Sequence, residues 1–247
     1  MTTTIYDRAK GVIACDSRWS IPDDRFGVLY VDEAPYLKIE IAQNHAFVFA
    51  GKAPIIGQWK VYLRARAEGQ NLPVPPMQGI AALVAEIGSG KLKHYYKQDI
   101  ILPDVFDAQT IFAGTGSTHA ARCWQANQCP ARAVASAMNF DICTGGEVRY
   151  VELLSGQHNL SHCHGIESLN QAFLHKGMVM FNRSELDKSP IPFKDAAGID
   201  PNVAEWYNKA ASGSLLQDIQ APCDAVFGKP TAEDETRMKD VLDSIFG

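Results

Sequence analysis

The chain predicts an α+β fold, with antiparallel sheets and helices packed outside them. Three observations carry that reading. β-rich runs pair into hairpins early in the chain, two helices follow one another between about Thr118 and Phe140, and a strand pattern resumes at Val148–Leu154. Strands, then two helices, then strands again favour this class. With 247 residues, 46% of them hydrophobic, the chain can bury one large core or a core plus a smaller appendage.

The elements follow in order. Thr2–Tyr6 and Gly11–Asp16 read as a hairpin. Trp19 to Ala34 is polar and irregular, a loop with a short strand at Val28–Val31. Tyr36–Ala42 and Ala46–Ala50 flank Gln43-Asn44 as a second hairpin. Gly51 ends that strand, and Pro54 suits the first turn of a helix. Ile55, Ile56, Trp59, Val61, Tyr62 and Leu63 then give a helical pattern that stops at Gly69.

Asn71–Gln78 carries three prolines and is a connection. Ile80–Ile87 suits a helix by its Ala and Leu content and a strand by its length. The strand is preferred, paired across Gly88-Ser89-Gly90 with Leu92–Gln98. Thr110–Ala113 is another strand, followed by a helix from Thr118 to Ala126 and a second from Cys129-Pro130 to Phe140. Ser184–Gly198, rich in Pro and Asp, reads as a surface loop. Thr231-x-x-Asp234 starts a last helix as a capping box. Its apolar stripe, Met238, Val241, Leu242, Ile245 and Phe246, reads as packing on its own domain, with docking on a neighbouring subunit as the second choice.

The chemistry sits at the N-terminus. Thr2 follows Met1, and a small second residue permits removal of the initiator methionine. The exposed threonine would then carry a hydroxyl nucleophile and an α-amine on one residue. An α-amine titrates near 7.7–8.0 in model peptides, so about a fifth to a third of it is neutral and able to act as a base near pH 7.4. Taken alone, Thr2-Thr3-Thr4 reads more readily as the β-branched start of a strand. The remainder of the stretch changes that balance.

Thr2 to Arg18, TTTIYDRAKGVIACDSR, resembles the start of mature proteasome β-subunits and of the bacterial HslV-type peptidase. The hairpin is about two residues shorter than in that family, an even change that preserves the side-chain period of two and lets Thr2 and Asp16 face one side; counting from Thr3 requires an odd change that turns one of them away, so Thr2 is the candidate. Leu37–Ile41 followed by Phe47–Gly51 resembles the strand bearing the family's active-site Lys and the Ala-Gly after it. Gly114-Thr115-Gly116-Ser117 and Asp141-Ile142-Cys143-Thr144-Gly145-Gly146 resemble its G-S-G-S turn and D-x-x-S-G-G segment, with hydroxyls kept at Thr115 and Thr144. The resemblance covers residues 2–155 in the family's order. Two departures stand out: a longer loop between Asp16 and Lys38, and a shorter segment between Gly69 and Ile80.

The resemblance implies a four-layer αββα Ntn-hydrolase sandwich over residues 1–155, with residues 156–247 as a C-terminal extension of unassigned role. It implies a threonine-type endopeptidase. Thr2 Oγ is the nucleophile and its α-amine the base. Lys38 lowers the amine's affinity for its proton, Asp16 holds Lys38, and the Gly51 N–H stabilises the oxyanion. Asp141, Thr144 and Thr115 surround the amine and its water. Read without the family, Asp16 more readily ends a strand, Lys38 equally faces solvent, Asp141 caps a Gly-Gly turn and Thr115 makes a tight turn. Two other functions stay open: an Ntn amidohydrolase on a small amide, and a non-catalytic scaffold subunit.

The resemblance also implies peptide or unfolded-protein substrates, a homo-oligomeric ring and an ATP-dependent unfoldase partner. The formal charge of −5 with scattered Lys and Arg argues against nucleic acid. No apolar run reaches the roughly 18–20 residues that span a bilayer, and no secretory signal is expected. The cysteines at 15, 123, 129, 143, 163 and 223 form no C-x-x-C pair, which fits a reduced, cytoplasmic setting. His158, His162, Cys163 and His164 invite a zinc reading that their spacing does not favour, so no metal or cofactor is expected.

Overall fold

The computed structural model describes residues 2–103, 109–161, 164–182, 189–223 and 228–247. It is an α+β fold with two antiparallel sheets. In chain order the elements are β1 Thr4–Asp7, β2 Val12–Asp16, β3 Trp19–Asp23, β4 Gly27–Val31, β5 Ile39–Ala42, β6 His45–Lys52, α1 Ala53–Ala67, β7 Ile80–Glu86, β8 Leu92–Tyr96, β9 Ile100–Pro103 and β10 Gln109–Ala113. After these come α2 Ser117–Asn127, α3 Pro130–Ala137, β11 Val148–Glu152, α4 Glu167–Lys176, β12 Met178–Phe181, β13 Ile191–Pro192, α5 Phe193–Ala197 and α6 Pro201–Ala211. A 3-10 turn at Ser214–Gln217 leads to β14 Gln220–Ala221 and then α7 Ala232–Phe246.

Among the described residues the smaller sheet runs β11-β2-β1-β10-β9. The larger runs β13-β12-β4-β3-β14-β6-β7-β8, with β5 pairing β6 beside that path. Side-chain alternation sorts the core into clusters. Tyr6, Ile13, Cys15 and Ile111 of the smaller sheet meet Ala46, Val48, Leu83 and Ala85 of the larger. Their sequence neighbours Ile5, Ala14 and Phe112 face the other way, onto Ala120, Trp124 and Val134 of α2 and α3. Phe47, Phe49, Ala82 and Val84 likewise turn outward, onto Trp59, Phe173, Val203 and Met238 of α1, α4, α6 and α7. Strands buried on both faces lose polar alternation. That is why Ile80–Ile87 resembled a helix in composition yet forms β7.

The β5–β6 hairpin closes through Gln43 and Asn44, both left-handed (φ 44° and 59°), as a two-residue turn of this hand requires. α1 starts with Pro54 in its first turn and ends before Gly69. The capping box forms: Asp234 N donates to Thr231 Oγ1 and Thr231 N to Asp234 Oδ2. The stripe on α7 packs on its own chain, Met238 and Leu242 buried and Val241, Ile245 and Phe246 lying against the same cluster.

Two expectations are corrected. Trp19–Ala34 is no irregular loop: β3 and β4 form a full hairpin in register Trp19↔Val31 to Asp23↔Gly27. Trp19 and Ile21 face inward, and Pro22 lies opposite Val28 of β4, beyond Ser20 where β14 pairs with β3. Ser184–Gly198 is likewise not a surface loop over its described part. Pro192 leads into α5, and Phe193 is buried against Tyr207; residues 184–188 lie outside the described residues. Past residue 155 the chain adds β12, β13 and β14 to the larger sheet and α4–α7 to the helices over it.

Candidate active site

Thr2 lies just before β1, Asp16 ends β2, and Lys38 precedes β5. All are essentially inaccessible, at 0%, 0% and 1% exposure. The Thr2 hydroxyl donates to Asp16 Oδ1. Lys38 Nζ donates to Thr2 Oγ1 at 2.5 Å and to Asp16 Oδ1 at 2.8 Å. Each member of this triad therefore touches both others. Two ions taken out of water hold together only when their remaining hydrogen-bond capacity is filled. Here Asp16 Oδ1 also accepts from Thr3 N at 2.9 Å, and Oδ2 from Arg18 N at 3.2 Å and Gly145 N at 3.1 Å.

The expectation that side-chain alternation sets Thr2, and not Thr3, on the side of Asp16 is corrected by the register. Thr4 pairs with Cys15, and Asp16 N donates to Thr3 O at 3.1 Å, so Thr3 rather than Thr2 stands opposite Asp16. Thr2 reaches the carboxylate because the chain leaves the ladder before β1 begins. Gly114 makes room for it: with φ +90°, a Cβ there would sit 2.0 Å from Thr2 O.

The remaining expected residues form a second group. Asp141 Oδ2 accepts from Thr144 Oγ1 at 2.5 Å and Thr115 Oγ1 at 3.2 Å, and Thr144 Oγ1 lies 2.9 Å from Thr3 Oγ1. Their hydrogen bonds thus run to Thr3, while Thr2 N donates to Pro222 O at 3.1 Å. Gly51 lies in β6 with φ +119°, and a Cβ there would strike Gly79 O at 2.2 Å, so this position needs glycine. Phe49 N and Ala53 N donate to Lys38 O and Ile219 O. Strand alternation turns the intervening Gly51 N–H to that same side, toward β14.

Several residues of the site were given no role by sequence reasoning. Thr3, set aside there as the nucleophile, links the two groups. Arg18, two residues after Asp16 in the D-S-R stretch, forks onto Asp32 at 2.6 and 2.9 Å, donates to Ile142 O at 2.5 Å and stacks over Tyr30. With Ser17 N and Arg18 N donating to Gly145 O, it stitches the loop of Asp141 to the end of β2. Asp99 Oδ2 accepts from Gly114 N at 2.5 Å and fixes the turn under Thr2. Asp99 and Arg18 carry no pattern of their own; only the place of Arg18 in the Asp16-Ser17-Arg18 run signals it.

The thiol of Cys15, next to Asp16, is pushed up to about 12 by burial, against the pull of Lys38. It is therefore a packing group and not a competing nucleophile. Among the described residues no three His, Cys, Asp or Glu side chains converge as a metal site; His162 and Cys163 lie outside them. No helix of the described residues is long and apolar enough to cross a membrane.

No family model and no curated protein matches the chain. Among solved structures, Thiobacillus denitrificans BPH in complex with epoxomicin aligns over 61% of this chain and 96% of its own, at 15% identity and a TM-score of 0.40. That likeness is remote.

Proposed function

We propose that this chain is an N-terminal-nucleophile threonine peptidase built as a four-layer αββα sandwich. The observation that carries the proposal is the mutual hydrogen bonding of Thr2 Oγ1, Lys38 Nζ and Asp16 Oδ1 in a buried site. A hydroxyl that accepts from an ammonium is stabilised as it loses its proton. Once Met1 is removed, the α-amine of Thr2, through a water, takes that proton as Oγ bonds to a peptide carbonyl carbon. The amine then gives it to the leaving nitrogen as the C–N bond breaks, and water hydrolyses the resulting ester. The Gly51 N–H faces the developing oxyanion. Removing such a donor costs on the order of 10²–10³ in rate elsewhere. Asp16 positions Lys38, and Thr115, Asp141 and Thr144 position Thr3.

The three clusters that lie between the sheets and outside each of them support the sandwich. We assign residues 2–155 to the catalytic core and 156–247 to an extension that completes the larger sheet. A homo-oligomeric cytoplasmic ring that takes unfolded chains from an ATP-dependent unfoldase is carried from the family resemblance, and light scattering on the purified protein tests the ring.

The intact mass before and after exposure to a peptide epoxyketone tests the chemistry, since that reagent needs a hydroxyl and a free α-amine on one residue. One adduct per chain on protein lacking Met1, absent from Thr2→Ala, is expected. Met1 retained with no adduct would favour a non-catalytic scaffold subunit, a reading that the inaccessibility of Thr2 also favours. An adduct with turnover of small amides but not peptides would make the chain an amidohydrolase.

A further inference from the structure

Thr2 is fully buried, and part of what lies against it comes from the far end of the chain. β14 fills the slot between β3 and β6, Gln220 opposite both Ser20 and Lys52, and Ala221 opposite Gly51. One residue on, Pro222 O accepts from Thr2 N. β6 pairs with β5 from His45 to Val48 and only then with β14, so the slot opens where Lys38 ends its approach to β5. Residues 220–222 thus contact the candidate oxyanion donor, the nucleophilic residue and both strands flanking the site.

We propose that Gln220–Cys223 is an internal pseudosubstrate: it occupies the slot in which an extended peptide would add as a strand between β3 and β6, and substrate enters only when it leaves. The inference rests on the peptidase reading and concerns its regulation. A peptide that adds to sheet edges gains main-chain hydrogen bonds on either side, which is what β14 now holds. The carbonyl of Pro222 also occupies the N–H of Thr2, the nitrogen that becomes the α-amine once Met1 is removed.

The paired part of the segment is only two residues long, and Ala221, Pro222 and Cys223 are small. Ala221 shares the large cluster with the flanking anchors Leu215, Ile219, Met238 and Leu242, while Cys223 packs with Ala50 and Ala81. Local opening takes less free energy than global unfolding, so the anchors hold while residues 220–223 move.

A reversible lock tests this. In the double variant Ser20→Cys/Gln220→Cys, directly opposed strand residues lie within reach of a disulfide. Reaction with a peptide epoxyketone is followed by intact mass in the oxidised and reduced forms, with the single variants as controls. The oxidised form is expected to label at least about tenfold more slowly than the reduced form, because labelling scales with the open fraction. Reductant should restore the rate. Ala221→Asp, which puts an uncompensated charge at a buried position and expels the strand, should label faster than the unmodified protein. Its melting curve checks that the core remains. Equal labelling of the oxidised and reduced forms would overturn the pseudosubstrate while leaving Thr2 as nucleophile. No adduct in any form, Ala221→Asp included, would overturn both.

Discussion

Replacing Lys38 with methionine keeps most of the side-chain volume and removes one charge from the buried triad, whereas Asp16→Ala removes its hub. The two should not cost the same. After Lys38→Met the Asp16 carboxylate still accepts from Thr3 N, Arg18 N, Gly145 N and the Thr2 hydroxyl. The loss should therefore fall at the low end of the roughly 3–5 kcal/mol typical of breaking a buried pair. Asp16→Ala strands the Lys38 ammonium and two backbone N–H groups, those of Thr3 and Gly145, each orphan costing about 1–3 kcal/mol, while Arg18 N keeps Gly145 O, so the loss should reach about 5 kcal/mol or more. At about 2–4 °C per kcal/mol for a chain of this size, melting followed by circular dichroism should fall by about 6–12 °C for Lys38→Met and by at least about 10–20 °C for Asp16→Ala. The double variant should lose less than the sum, since one pair is counted twice. An Asp16→Ala protein that melts within about 2 °C of the unmodified one, or above Lys38→Met, would refute a buried pair organised by Asp16.

Three further outcomes follow from single contacts. Trp124 Nε1 donates to the fully buried Asp7 Oδ2 at 2.7 Å, so Trp124→Phe should destabilise by about 1–3 kcal/mol in urea unfolding, more than its loss of area explains. Thr231→Ala removes the cap of α7 and should cost about 1 kcal/mol in the same assay, with activity unchanged. His94 is held below its usual range by burial, with Asp234 opposing and Arg237 adding. The unfolded chain then binds the proton more tightly, so this share of stability is present above about pH 6.5 and is lost as pH falls from there. The urea midpoint should therefore drop less between pH 7.5 and 5.5 in His94→Gln than in the unmodified protein.

Much of the fold was legible because local signals and packing agree. The Gln43-Asn44 turn, Pro54 at the start of α1 and the Thr231–Asp234 capping box each act within a few residues, and each forms. What stayed hidden depends on distant partners. Trp19–Asp23 reads W-S-I-P-D, and its proline and polar residues suggest a loop. It is a strand because Trp19 and Ile21 find a core supplied partly by residues beyond Phe173. β14 is two residues long, too short to show a period, and exists only because β3 and β6 leave a gap of one strand.

The candidate site shows the same division. Thr2, Asp16 and Lys38 are legible as residue types, but neither the side-chain period nor the spacing accounts for their meeting. The ladder sets Thr3 against Asp16, and only the departure of Thr2 from it brings the two hydroxyls to different partners: Thr2 to the ion pair, Thr3 to Thr144. Thr3, which keeps the register, bonds to Asp16 through its N–H and to Thr144 through its hydroxyl. The N–H of Thr2, outside the ladder, donates to Pro222 O. The same departure therefore takes the Thr2 hydroxyl to Lys38 and its backbone nitrogen to the chain's own extension, and the second contact yields only to movement of residues 220–223.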